Sequence, residues 1–114
     1  MITLSTHTLD SSTGTHASGI TVKLFVLNNN TELVELWRNI TDEGGRLTVE
    51  FDIEPKYCEC DLQLSFDISK YFLRKAKGVQ TRLIMLNIKL PDPDGKYHLP
   101  VIISPHGASL WWSN

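Results

Sequence analysis

Between Gly19 and Leu27 the chain reads Gly-Ile-Thr-Val-Lys-Leu-Phe-Val-Leu. Ile20, Val22, Leu24 and Val26 fall on one side of an extended backbone, because successive side chains of a strand point to opposite faces. Similar short runs recur along the chain, closed by turn residues about every ten positions. Ile2 to Leu9 runs into Asp10-Ser11-Ser12-Thr13-Gly14, Asn28-Asn29-Asn30 closes the next run, and Asp42-Glu43-Gly44-Gly45 precedes Leu47 to Phe51. Segments this short, interrupted this often, predict an all-β sandwich or barrel.

The rest of the chain follows the same pattern. Glu32 to Arg38 alternates between tight turns and is assigned as a strand. After Pro55, Tyr57 to Phe66 alternates again, and Arg82 to Leu90 leads into the hairpin turn Asp92-Pro93-Asp94-Gly95. From Lys96 onward a final pair is expected, with the β-branched Val101-Ile102-Ile103 closed by Ser104-Pro105-His106-Gly107. Asp67 to Gly78 differs: Asp67 or Ser69 can cap, Ile68, Phe72 and Leu73 make a stripe, and bases crowd the end. That predicts one short amphipathic helix beside eight strands, within one domain spanning residues 1–114.

Composition narrows the partners. With 41% hydrophobic and 21% charged residues and a net charge of -2, the 114 residues suit a globular domain with a core of its own. The charges are interspersed, so no basic nucleic-acid face is expected, and no apolar run reaches the ~20 residues of a membrane span. Met1 to His7 lacks the basic and long apolar regions of a signal peptide, so a cytoplasmic location is expected. Cys58 and Cys60 lie two apart without a second pair, and are expected as structural thiols, buried or half-buried on one face of a strand.

Three residues are polar where a sandwich wants strand residues. His7 sits mid-strand in Leu4-Ser5-Thr6-His7-Thr8-Leu9-Asp10, Arg46 follows a Gly-Gly turn, and His98 follows Tyr97 at the head of the penultimate strand. Each alone has an ordinary structural role open to it, and spacing does not show that they converge. Two isolated histidines without a matched carboxylate make a poor zinc set, so no metal and no other cofactor is expected.

With their flanks these residues resemble the transthyretin-like family, and within it the 5-hydroxyisourate hydrolases of purine catabolism. The resemblance rests on Leu4-Ser5-Thr6-His7-Thr8-Leu9-Asp10, Ser12-Thr13-Gly14, Thr41-Asp42-Glu43-Gly44-Gly45-Arg46, Phe66-Asp67, Tyr71-Phe72, and Asp92-Pro93-Asp94 through Tyr97-His98-Leu99-Pro100 to Ser104-Pro105. It implies a sandwich of two four-stranded sheets, paired edge to edge into dimers that meet face to face. The implied homotetramer has a central channel that holds the ligand or the active sites. His7, Arg46 and His98 match the hydrolases' polar site residues. Histidine supplies a base near neutral pH, and arginine holds an oxyanion or an acidic ring.

The tail departs from the family. The hydrolases end in Tyr-Arg-Gly-Ser, a segment that contributes to their site, whereas this chain has Trp111-Trp112-Ser113-Asn114. Trp111, Trp112 and Asn114 are therefore assigned to substrate binding. Trp112 stands in place of a charge whose loss costs on the order of 2–4 kcal/mol of transition-state stabilisation. Gln80-Thr81-Arg82-Leu83 also lacks the hydrolases' aromatic-proline-acid pattern. Three readings follow: a hydrolase of 5-hydroxyisourate, a repurposed enzyme for a more aromatic or apolar small molecule, and a non-catalytic small-molecule-binding protein.

Overall fold

A computed structural model describes residues 1–29, 31–73, 75 and 78–113. The strands are β1 (Ile2–Asp10), β2 (Thr15–His16), β3 (Thr21–Asn28), β4 (Glu32–Ile40), β5 (Arg46–Phe51), β6 (Asp61–Asp67), β7 (Leu83–Ile88), β8 (Lys96–Ser104) and β9 (Gly107–Leu110). One short helix, α1 (Ser69–Phe72), follows β6. They form two sheets, as expected, but one of them holds five strands rather than four.

In that sheet β1 is central. It pairs in parallel with β8, which pairs in turn with β9. On its other side β1 is lined by β5 along Ile2 to His7 and by the two-residue β2 at Leu9 and Asp10. The second sheet is antiparallel throughout, in the order β4-β3-β6-β7. Alternation along β1 buries Ile2, Leu4, Thr6, Thr8 and Asp10 and turns Thr3, Ser5, His7 and Leu9 outward. The buried residues meet Ile20, Val22, Leu24 and Val26 and the inward side chains of β6 and β8, among them Leu64, Phe66, Leu99 and Val101. Buried hydroxyls are bonded within this core: Thr6 Oγ1 donates to the Leu99 carbonyl at 2.6 Å and Thr8 Oγ1 to that of Ala17 at 2.6 Å.

Four local differences from the sequence expectation have physical causes. Strict alternation along β4 cannot place both Val34 and Trp37 inside. A bulge opposite Leu24 and Phe25 supplies the extra residue, so Trp37 pairs with Leu24 and Val34 with Val26. Trp37 then meets Phe51 of the other sheet edge-on, with ring centroids 5.7 Å apart.

The expected strand from Tyr57 begins only at Asp61. Pro55 opens a single 3-10 turn, and the amides of Tyr57, Cys58 and Cys60 are spent on the carbonyls of Glu54, Pro55 and Tyr57. Cys58 is consequently exposed and Cys60 half-buried. The helix spans four residues: Ile68 and Phe72 are buried in the core and Tyr71 packs against it, while Leu73 is 74% exposed. The rest of the expected helix includes residues 74, 76 and 77, which lie outside the described residues. The fourth difference, the strand β2, lies in a stretch expected to be only loop.

Candidate functional site

The outward face of the five-stranded sheet carries the polar residues singled out above. His7 of β1 is paired with Arg46 of β5, and Ser5 of β1 is flanked by Thr48 of β5 and His98 of β8. Residues paired in register project to the same side, so His7, Arg46, Ser5 and His98 share one face. Directly opposed side chains start roughly 5 Å apart and diagonal ones about 7–8 Å, so His7 and His98 can address one small molecule.

Local structure explains why Arg46 stands there. The Asp42 carboxylate accepts from the amides of Gly44 and Arg46, both at 2.9 Å, and the Asp42 amide donates to the Arg46 carbonyl at 2.9 Å. The turn then docks on β1, where the Thr8 amide donates to the Gly45 carbonyl at 2.7 Å. Gly45 has φ of +72°, and a Cβ there would fall 2.4 Å from the Thr8 carbonyl oxygen. Only glycine lets the turn lie this close. The Gly-Gly pair thus delivers Arg46 into register with His7.

His98 is fixed differently. The Ser5 hydroxyl lies 2.7 Å from His98 Nδ1, and the Ser113 amide donates to the His98 carbonyl at 2.8 Å. The Ser5 bond occupies one ring nitrogen and leaves Nε2 for other partners.

His7 has a partner that the sequence did not announce. Its Nε2 lies 2.9 Å from Nδ1 of His16, with ring centroids 5.0 Å apart. Burial, the Arg46 guanidinium and the His16 imidazole together hold His7 below the ordinary histidine range, opposed by the Gly44 carbonyl. His7 is therefore neutral at neutral pH, the form that accepts a proton. His16 was missed because it follows a run of turn residues. Its strand of two residues is too short for alternation to mark, and the pairing with Leu9 alone turns it to the face of His7.

The tail continues from β9 along β8. The Trp111 amide donates to the Pro100 carbonyl at 3.4 Å, and Ser113 bridges His98. This register places Trp111 and Ser113 on the side of His7 and His98, and Trp112 on the other. There Trp112 meets Tyr97 edge-on at 6.1 Å. Both indoles remain partly exposed, Trp111 at 45% and Trp112 at 42%. Asn114, also assigned to substrate binding, lies outside the described residues.

Among the described residues, two cavities are formed away from the His/Arg set. One of about 310 Å³ on the outward side of β8 and β9 is lined by residues including Ser11, Ile102, Ser104 and Ser109. Another of about 320 Å³ lies at an end of the sandwich between Ile2, Tyr57, Cys58, Cys60 and Leu90. Among the described residues no three His, Cys, Asp or Glu side chains gather to hold a metal ion. No described helix is long and apolar enough to cross a membrane.

Comparison with known proteins finds relatives along nearly the whole chain. The chain is 30% identical over 112 residues to the 5-hydroxyisourate hydrolase of Halalkalibacterium halodurans, covering 95% of this chain and 94% of that one. The solved 5-hydroxyisourate hydrolase of Klebsiella pneumoniae superposes with a TM-score of 0.78 at 29% identity, over 98% of this chain and 99% of that one. Transthyretin from Sparus aurata matches in fold, with a TM-score of 0.80 at 18% identity over 96% and 95% of the two chains. The family model described as "HIUase/Transthyretin family" matches residues 4–112, and this chain belongs to that family.

Proposed function

We propose that this protein is a hydrolase that opens the ring of 5-hydroxyisourate with water, using His7, Arg46 and His98. The observation that carries this is the juxtaposition of those three side chains on the outward face of β5-β1-β8, in a chain whose curated relatives are hydrolases of that compound. Arg46 binds the acidic ring and the oxyanion that forms when water adds to its carbonyl. His7 and His98 serve together in activating the attacking water and carrying a proton to the departing nitrogen. General acid–base help of this kind contributes about 10²–10⁴-fold.

The face is an open sheet surface in one chain. We assign its closure to a second copy, giving a homotetramer whose channel contains the sites, in a one-domain cytoplasmic protein. Purified protein should accelerate the decay of the ultraviolet absorbance of freshly generated 5-hydroxyisourate, and His7→Asn, Arg46→Ala and His98→Asn should each lower the rate at least tenfold. Decay no faster than the spontaneous reaction would exclude this reading.

A second reading is favoured by Trp111. Its register position beside Pro100 places an aromatic wall on the face of the histidines, suited to stacking on a flat, less polar ligand. If isourate activity is weak because the tail departs from Tyr-Arg-Gly-Ser, Trp112→Arg with Asn114→Ser should raise it, and an unchanged rate would locate the specificity elsewhere, with the Trp111 wall as the first candidate. Binding of an apolar ligand unaffected by His98→Ala would instead indicate a non-catalytic carrier.

A further inference from the structure

We propose that His16 is a positioning and proton-sharing partner of His7, whose hydrogen bond to Nε2 sets the tautomer of the His7 ring. The proposal extends the reading of the outward face as a hydrolytic site, but its physical basis does not depend on which molecule is hydrolysed.

The contact is Nε2 of His7 to Nδ1 of His16 at 2.9 Å, within hydrogen-bond range for two ring nitrogens. One nitrogen must donate and the other accept. Two neutral rings satisfy this, and so does a pair carrying one added proton. A doubly protonated pair brings N–H against N–H and loses the bond, so the second protonation is opposed by both charge and geometry.

The surroundings choose a direction. The Gly44 carbonyl favours the protonated form of His7. Since Nε2 is engaged by His16, Nδ1 is the nitrogen left for that carbonyl. Neutral His7 with Nδ1–H toward Gly44 has its lone pair on Nε2, so His16 Nδ1–H is the donor. His16 is exposed, and its own Nε2 lone pair is then free. A proton taken from water at His16 Nε2 releases the Nδ1 proton to His7 Nε2, leaving one positive charge on the pair and hydroxide for attack.

The other charged or titratable groups facing His7 are Arg46 from β5 and His98 from β8. Asp42, in the turn beside them, spends its carboxylate on the amides of Gly44 and Arg46. The side chain bonded to His7 Nε2 is the uncharged His16 ring. The pair forms because β2 seats His16 across from Leu9, one step from His7 on the same face.

The test needs no substrate. Imidazole ¹⁵N signals of the full chain are followed from pH 4 to pH 9 in the unmodified protein, His16→Phe and His16→Gln. In the unmodified protein, neutral His7 should be locked as the Nδ1–H tautomer. In His16→Phe, neutral His7 should populate both tautomers, while His16→Gln, which can still donate to Nε2, should restore the single tautomer. Backbone amide spectra show whether each variant is folded. An unmodified protein in which neutral His7 populates both tautomers, or a tautomer unchanged by His16→Phe, overturns the proposal. If the tautomer responds as described while isourate decay is not accelerated, the proposed reaction fails and the pair stands.

Discussion

Asp10 takes a carboxylate into the interior at 1% exposure, and its partners account for that. It accepts from the Ser12 amide at 2.9 Å, the Ser12 hydroxyl at 2.6 Å and the Tyr71 hydroxyl at 2.8 Å. Burial alone would raise its pKa, but the bonds from Ser12, Tyr71 and Thr13 more than offset this and hold it below the usual carboxylate range. Tyr71 is pushed up to about 12 by burial and by that same carboxylate. Asp10, depressed, stabilises the fold above the ordinary carboxylate pKa of about 3.9, and that contribution is lost as pH falls through its folded value. Tyr71, raised, contributes fully below the ordinary tyrosine pKa of about 10, and its contribution is lost as pH climbs through about 12. Tyr71→Phe should therefore cost about 1–2 kcal/mol between pH 5 and 9, the scale of a charged hydrogen bond at a half-buried site. Urea unfolding at a series of pH values should also show a shallower alkaline loss in the variant between roughly pH 10 and 12. Unchanged midpoints at neutral pH would show that the bond contributes nothing.

At the scale of elements, the tail after β9 divides two similar residues between two duties. Trp112 packs edge-on against Tyr97, and such an aromatic pair contributes about 0.5–1.5 kcal/mol beyond its area. Trp111 lies on the outward face by register with Pro100. Trp112→Ala should lower stability by about 1 kcal/mol or more, whereas Trp111→Ala should stay within about 0.5 kcal/mol and raise KM instead. Thermal unfolding together with steady-state kinetics separates the two, and equal losses of stability would refute the division. This division was not legible in the sequence, where adjacent tryptophans read as one aromatic terminus; only the pairing of Ser113 with His98 fixes which indole points where. The β3 pattern of Ile20, Val22, Leu24 and Val26 did announce its own strand and buried face. Local periodicity thus revealed strands whose two faces differ in polarity, and missed what long-range pairing creates. The two-residue β2 has no periodicity to detect, so His16 passed as loop. The helix failed in the opposite sense: its stripe was real over Ile68 and Phe72, but no core waited for Leu73.

The whole molecule leaves its sheets unfinished at their edges. β7 borders the second sheet, paired with β6 on one side alone, and Leu83 and Met85 on it are 48% and 45% exposed. An edge strand with free amides and carbonyls and apolar side chains is a template for pairing with another strand. β9 borders the first sheet in the same way, next to the strand that carries His98. Two copies joined through such edges would extend each sheet, and two extended sheets meeting face to face would enclose His7, Arg46 and His98. Enclosure matters to the chemistry, because the attraction of Arg46 for an oxyanion strengthens as water is excluded. A charge placed at the β7 seam leaves an unpaired ion at the interface, which costs several kcal/mol when buried. Leu83→Lys with Met85→Lys should therefore weaken assembly by at least about a hundredfold, since each 1.4 kcal/mol is tenfold in the constant. Sedimentation of the unmodified protein should give a tetramer, and that of the variant a smaller species with an unchanged β-sheet circular dichroism spectrum. Neither lysine lies on the outward face of the first sheet, so the variant retains every residue of the His/Arg set. Its hydrolytic rate should nevertheless fall with the tetramer and recover at concentrations that restore it. A variant that dissociates and keeps its full rate would show that one chain's open face is sufficient, and that assembly serves stability instead.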